Sequence, residues 1–122
     1  MKQKILVVDD DMPMRCLLQN MLSKKYAVTC KEGAMEACDW LSDGNLPDLI
    51  ISDMMMPLMD GLELLKFLRS NGLYRNIPVI ILSTMEDSKM KECCLREGAV
   101  AYMHKPFDTN QLMQTISHPL SA

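Results

Sequence analysis

The sequence predicts an α/β fold: a parallel sheet with helices packed on both faces. Three observations carry the prediction. Short, β-branched apolar runs recur at Ile5-Leu6-Val7-Val8, Leu49-Ile50-Ile51 and Val79-Ile80-Ile81-Leu82, the pattern of strands covered on both sides. Stretches with apolar residues at helical spacing fall between them, and strand-then-helix alternation implies right-handed crossovers with helices on both faces. Each run also ends in polar residues: Asp9-Asp10-Asp11 after the first, Ser52-Asp53 on the second, Ser83-Thr84 on the third. In parallel sheets the ligand site lies beyond the carboxyl ends of the strands, so these groups converge on one crevice.

Five strand-helix units follow in order, with no linker, repeat or low-complexity tract. The first strand spans about 4–9, and the first helix starts near Pro13, a residue favoured in a first turn, with Leu17, Leu18, Met21 and Leu22 as its apolar stripe. Tyr26 to Lys31 forms the second strand, and Ala34, Ala37, Cys38 and Leu41 line the second helix until Asp43-Gly44-Asn45 breaks it. Leu49 to Asp53 is the third strand; the Pro57 to Gly61 loop leads into a helix with Leu64, Leu65 and Leu68 inward, ended by Asn71-Gly72. Val79 to Ser83 is the fourth strand, and the fourth helix runs from about Asp87 to Glu97 with Met90, Cys93 and Cys94 inward and Gly98 as its cap. The fifth strand spans about Val100 to Met103, and Asp108 or Thr109 caps a helix with Leu112 and Ile116 toward the core. The tail, His118 to Ala122, reads as the frayed end of a complete domain.

The 122 residues suit one domain, 1–122, too short for an added output domain. A net charge of -3 gives no basic face for nucleic acid. No apolar run approaches the roughly 20 residues that span a bilayer, and Met1-Lys2-Gln3-Lys4 leads straight into a strand rather than a signal sequence, so a cytoplasmic location without membrane insertion is expected. Cys16, Cys30, Cys38, Cys93 and Cys94 form no Cys-x-x-Cys pair and have no histidines at zinc spacing, the pattern of reduced structural thiols. The 13 methionines read mainly as adaptable core filling.

Taken singly, the crevice residues are unremarkable. Asp9 and Asp10 could start a helix, where carboxylates favour the positive dipole end, and Lys105 could be an ordinary surface lysine. Their joint arrival at successive strand ends reverses that reading. Two carboxylates about 4 Å apart repel by about 1 kcal/mol in water and about 4 kcal/mol at an effective dielectric near 20, so the cluster calls for a cation.

These residues resemble the receiver domains of bacterial two-component response regulators. The likeness runs from Ile5 to about Ile116: the acidic pair after the first strand, Asp53 with Pro57 and Gly61 downstream, the hydroxyl after the fourth strand, and Lys105-Pro106-Phe107 after the fifth. The resemblance is nearest a stand-alone, chemotaxis-type receiver, and a receiver excised from a longer regulator would read the same. It implies a flavodoxin-like (βα)5 fold with strand order 2-1-3-4-5. It makes Asp53 the phosphoacceptor, a carboxylate able to form an acyl phosphate once the repulsion between anions is neutralised. It assigns Mg2+, with Mn2+ as a substitute, to Asp10, Asp53 and the Met55 backbone carbonyl, with Asp9 assisting through water. Such a hard cation takes oxygen ligands and keeps several waters.

The resemblance further gives Lys105 the phosphoryl oxygens, with a cis bond before Pro106, and gives Ser83 and the Thr84 backbone donor roles. Asp11 is left as a solvated helix-start residue. Ser83 and Tyr102 become the switch, read out on the surface of helix four, strand five and helix five. There Leu95 is the apolar residue placed to meet an effector protein. The phosphoryl source is a sensor histidine kinase or a phosphotransfer protein, and the domain promotes only its own phosphorylation and autodephosphorylation rather than acting as an enzyme. Met55 and Met85 stand at two rim positions over the phosphoryl group, where bulky apolar side chains would exclude water and slow its loss.

Two other classes fit less well. A haloacid-dehalogenase-type phosphatase also uses an aspartate nucleophile with magnesium, but needs a second carboxylate two residues on, and Met55 cannot transfer a proton. A flavodoxin would offer hydroxyls and amides to a flavin phosphate in its first loop, where this chain has three carboxylates. A degenerate receiver would lack a site residue, and none is missing.

Overall fold

The computed structural model describes residues 2–121. Ten elements alternate along the chain: β1 (Lys4–Val8), α1 (Met12–Leu22), β2 (Ala27–Lys31), α2 (Ala34–Ser42), β3 (Leu49–Asp53), α3 (Gly61–Ser70), β4 (Val79–Ser83), α4 (Ser88–Arg96), β5 (Ala101–His104) and α5 (Thr109–Leu120). All four strand pairings are parallel and the order is β2-β1-β3-β4-β5, as the resemblance implied.

Alternation along the strands divides the core in two. Leu6, Val8, Ile50 and Ile81 point to the face covered by α2, α3 and α4, where they meet Ala37, Leu41, Leu64, Leu65, Leu68 and Cys94. Ile5, Val7, Leu49, Ile51, Ile80 and Leu82 point to the other face, against Leu18 and Leu22 of α1 and Leu112 and Ile116 of α5. Every residue of β3 and β4 is buried. At about 1.5–3 kcal/mol for each fully buried Leu, Ile or Val side chain, these two strands are the most heavily anchored part of the fold. Asp53 and Ser83 are their last residues.

Helix starts follow side-chain capping. The Asp11 carboxylate accepts from the Met14 amide, Asp87 from Lys89 and Met90, and Asp108 from Asn110 and Gln111. Asp60 and Glu63 form a reciprocal capping box at α3 that the sequence reading passed over, although the Asp-x-x-Glu spacing signals it. Gly98 adopts φ +104 after α4, the left-handed conformation that glycine reaches without steric cost.

Four local expectations are corrected. Leu17 is 45% exposed, because the inner stripe of α1 runs through Met14, Leu18, Met21 and Leu22 at i, i+4, i+7 and i+8 and leaves Leu17 at its edge. Tyr26 is buried but precedes β2, its amide still bonded to the Leu22 carbonyl. On α4, Cys94 is buried and Met90 packs against the core, while Cys93 is only half-buried. The expected fraying from His118 does not occur: α5 continues to Leu120, whose carbonyl accepts from Gln3 Nε2 at 2.9 Å. Met1 and Ala122 lie outside the described residues. No helix among the described residues is long and apolar enough to cross a membrane.

Candidate functional site

The carboxyl end of the sheet gathers the acidic residues. Carboxylate oxygens of Asp9, Asp10 and Asp53 lie within 4.8 Å of one another. Asp9 follows β1 and is buried, Asp10 is exposed, and Asp53 is buried at the tip of β3. Asp9 is held from several sides: its Oδ1 accepts from the Asp11 amide (2.9 Å), its carbonyl from Arg15 Nη1 (2.9 Å), and its Oδ2 from Lys105 Nζ (2.9 Å). The same ammonium stands 3.2 Å from Asp53 Oδ1, so one cation from beyond β5 bridges carboxylates from β1 and β3. The Lys105-Pro106 peptide is cis.

The electrostatics are unbalanced. Burial pushes the Asp53 carboxyl up, the Asp9 charge pushes it further, and Lys105 offsets only part of this, leaving it at about 6 against an ordinary 3.8. Burial would lower the Lys105 ammonium, but its hydrogen bond to Asp9 and the charge of Asp53 hold it above the usual range. Three carboxylates against one ammonium form a hard-oxygen donor set suited to a magnesium-like ion.

The loop after β3 shapes the rim. Met59 N donates to the Pro57 carbonyl (2.8 Å) across Leu58, whose φ of 72 gives a positive-φ γ-turn, a strained geometry for a non-glycine residue. Gly61 then starts α3 against the β3 backbone: its amide donates to the Met54 carbonyl (2.8 Å), and a Cβ there would sit 2.6 Å from the Asp53 carbonyl oxygen. A side chain at this position would displace the segment that carries Asp53.

A cavity of about 410 Å3 opens over the site, lined by Met14, Asp53, Met55, Thr84, Lys105 and Pro106 among others. Met55 lines this cavity beside Asp53 and is 55% exposed. Met85 lines the neighbouring cavity, between the β4–α4 loop and Tyr102, and its amide donates to Ser83 Oγ (3.0 Å). Ser83 is fully buried and Thr84 is exposed. Tyr102 is half-buried against the α2–α3–α4 side of the core, and its hydroxyl is buried without a hydrogen-bond partner among the described residues. Sequence reasoning missed Arg15 as a support for Asp9 and His104 as a contact of the β4–α4 loop. Neither has a sequence signal: the Arg15 bond goes to a backbone carbonyl, which any residue offers, and the His104 contact joins two separate strand ends.

The sequence model of the Response regulator receiver domain matches residues 5–117. Among curated proteins the chain is 37% identical over 114 residues to Response regulator MprA of Mycobacterium sp. (strain KMS), covering 93% of this chain and 48% of that protein. It is 32% identical over 118 residues to Sensor histidine kinase TmoS of Ectopseudomonas mendocina, covering 97% of this chain and 12% of that one. The chain thus spans about half or less of the length of these relatives. Solved structures agree. The Francisella response regulator 1452 receiver domain superposes with TM-score 0.88 at 32% identity, covering 98% of this chain and 97% of that one. Chemotaxis protein CheY4 of Vibrio cholerae gives 0.87 at 30% identity, covering 96% and 98%. With five parallel strands in the order 2-1-3-4-5 and an acidic crevice at their carboxyl ends, the chain belongs to the response regulator receiver domain family, the phosphorylation-dependent switches of two-component signalling.

Proposed function

We propose that Asp53 accepts a phosphoryl group from a sensor histidine kinase or a phosphotransfer protein, and that the resulting acyl phosphate alters the α4–β5–α5 surface for an effector protein. The observation that carries this reading is the shared ammonium of Lys105 between Asp9 and Asp53, inside a cluster of three carboxylates. Asp10, Asp53 and the Met55 carbonyl, with Asp9 behind them, would hold Mg2+ or Mn2+. A bound divalent ion supplies charge neutralisation for the crowded oxygens.

In the transfer, an ionised Asp53 oxygen forms a bond to phosphorus as the phosphorus–nitrogen bond of a phosphohistidine breaks. The departing electron pair returns to the imidazole. Lys105 steadies the phosphoryl oxygens as a point charge, and Ser83 with the Thr84 backbone supplies further donors at the tip of β4. Asp9, braced by Lys105 and the Asp11 amide, keeps the crevice acidic without serving as nucleophile. Pulling Ser83 toward the phosphoryl group would bias Tyr102, the two-position element of the switch. The domain acts as a regulatory phosphoacceptor rather than as an enzyme with its own substrate.

Incubation with acetyl phosphate tests the assignment by intact mass. One added phosphoryl group is expected in the parent with magnesium, none with a chelator and none in Asp53→Asn. Equal labelling of the Asp53→Asn variant would overturn it.

A further inference from the structure

Residues 83–85 are fixed at three points. The Ser83 carbonyl accepts from the Lys105 amide (2.7 Å), Ser83 Oγ accepts from the Met85 amide (3.0 Å), and the Thr84 carbonyl lies 3.2 Å from His104 Nε2. The third contact is made by a side chain of β5, and it reaches past the end of the β4–β5 ladder, where Ser83 pairs with His104. A carbonyl can only accept, so Nε2 must carry a proton, and the contact selects that tautomer of the ring. The Glu86 carboxylate stands 3.9 Å from the same nitrogen, but both side chains are well exposed and the pairing adds little.

The location of this bond gives it a role. His104 and Tyr102 are two residues apart on β5 and project to the same side of the strand. Together they line a cavity of about 330 Å3 toward the β4–α4 loop, shared with Met85, Ser88 and Lys91, and another of about 290 Å3 toward Phe107 and Gln111. Tyr102 therefore has space on either side, and its buried hydroxyl without a partner gains by reaching water. The loop that stands beside it is the one His104 holds.

We propose that His104 is a positioning residue: its ring latches the Thr84 carbonyl and holds the β4–α4 loop in the unphosphorylated arrangement around Tyr102. This rests on the reading of Ser83 and Tyr102 as the switch. The latch opposes displacement of the loop, so removing it shifts the equilibrium toward the switched state, and any ligand favouring that state binds more tightly. An apolar side chain at position 104 has no donor for this bond.

The test uses the full chain without a phosphodonor first. Long-range proton–nitrogen correlation spectra of the neutral His104 ring should show the proton on Nε2. His104→Ala should move the amide signals of Thr84 to Ser88 and of Tyr102, and His104→Gln, which restores an amide donor, should return them toward the parent. Beryllofluoride with magnesium should then bind His104→Ala more tightly by about threefold to tenfold, the ratio that one neutral hydrogen bond supports. The latch is overturned by a proton on Nδ1, by unmoved Thr84 to Ser88 signals in His104→Ala, by a His104→Gln variant that behaves as His104→Ala, or by unchanged or weaker beryllofluoride binding. Phosphorylation of Asp53 is read separately by mass on the parent, so failure there leaves the ring and amide results to judge the latch alone.

Discussion

Replacing Asp53 by Asn should stabilise the protein when divalent ions are removed. Asn keeps the shape of the side chain and removes a charge that burial and Asp9 disfavour in the folded state. A folded value of about 6 against 3.8 means that, between these limits, the folded protein binds more protons at this group than the unfolded chain does. Stability from this group is thus greatest in acid and is lost as pH rises through about 6. The full difference converts, at about 1.36 kcal/mol per pH unit, to about 3 kcal/mol. Lys105 is already counted in that balance, because its attraction is one of the contributions that set the Asp53 value.

The assay is urea unfolding of the parent and of Asp53→Asn with a chelator present. At about pH 7.5 the variant should be more stable by about 2–3 kcal/mol, a rise in melting temperature of roughly 8–12 °C for a domain of this size. At about pH 4.5 most of the gap should close, since the parent then carries a protonated Asp53 in its folded form. Saturating magnesium should narrow or reverse the order, because an ion at about 100 times its dissociation constant adds about 2.7 kcal/mol to whichever protein binds it. A variant that is less stable than the parent in chelator, or a gap that does not change with pH, would refute the reasoning.

Three further outcomes follow from the same geometry. Asp10→Asn should blunt the rise in melting temperature that magnesium gives the parent, measured by thermal unfolding across a magnesium titration. Gly61→Ala should cost about 1–3 kcal/mol by overpacking, since its Cβ would press on the Asp53 carbonyl at 2.6 Å, and should also slow labelling by acetyl phosphate. Met55→Asn should hasten loss of the phosphoryl group by about tenfold, or about 1.4 kcal/mol of barrier, whereas Met85→Glu alone should do less because Met85 lines the adjacent cavity; decay rates at fixed magnesium decide both.

The parts of this molecule that the sequence made legible are those governed by local pattern. Unbroken β-branched runs gave β3 and β4 to the residue, and helical spacing gave the inner faces of α2, α3 and α5. Asp9, Asp10, Asp53 and Lys105 could be placed together because a parallel sheet brings its strand ends to one edge. Features that depend on how far a side chain reaches were not legible. Nothing in the spacing shows that Lys105 divides itself between Asp9 and Asp53, or that Met85 turns its amide to Ser83 and leaves the rim to Met55. The contact between the end of α5 and Gln3, a residue more than a hundred positions away, was likewise not legible.

Charge counting joins the site to the switch. With Asp9, Asp10 and Asp53 ionised and Lys105 protonated, three negative charges face one positive charge, and the remainder of two matches a single divalent ion. Phosphorylation at Asp53, as proposed, would replace its single charge by about two, so the crevice would become more negative again even with that ion in place. The excess must be met by groups not already committed. Lys105 can turn from Asp9 toward the phosphoryl oxygens, but it brings no new charge. The proposed added donors lie at the tip of β4, where Ser83 is buried beside the loop and its hydroxyl accepts from the Met85 amide. On the proposed reading, drawing that hydroxyl toward phosphate would displace a loop that borders Tyr102 and is bonded to His104, a route by which a local charge imbalance would reach the α4–β5–α5 surface.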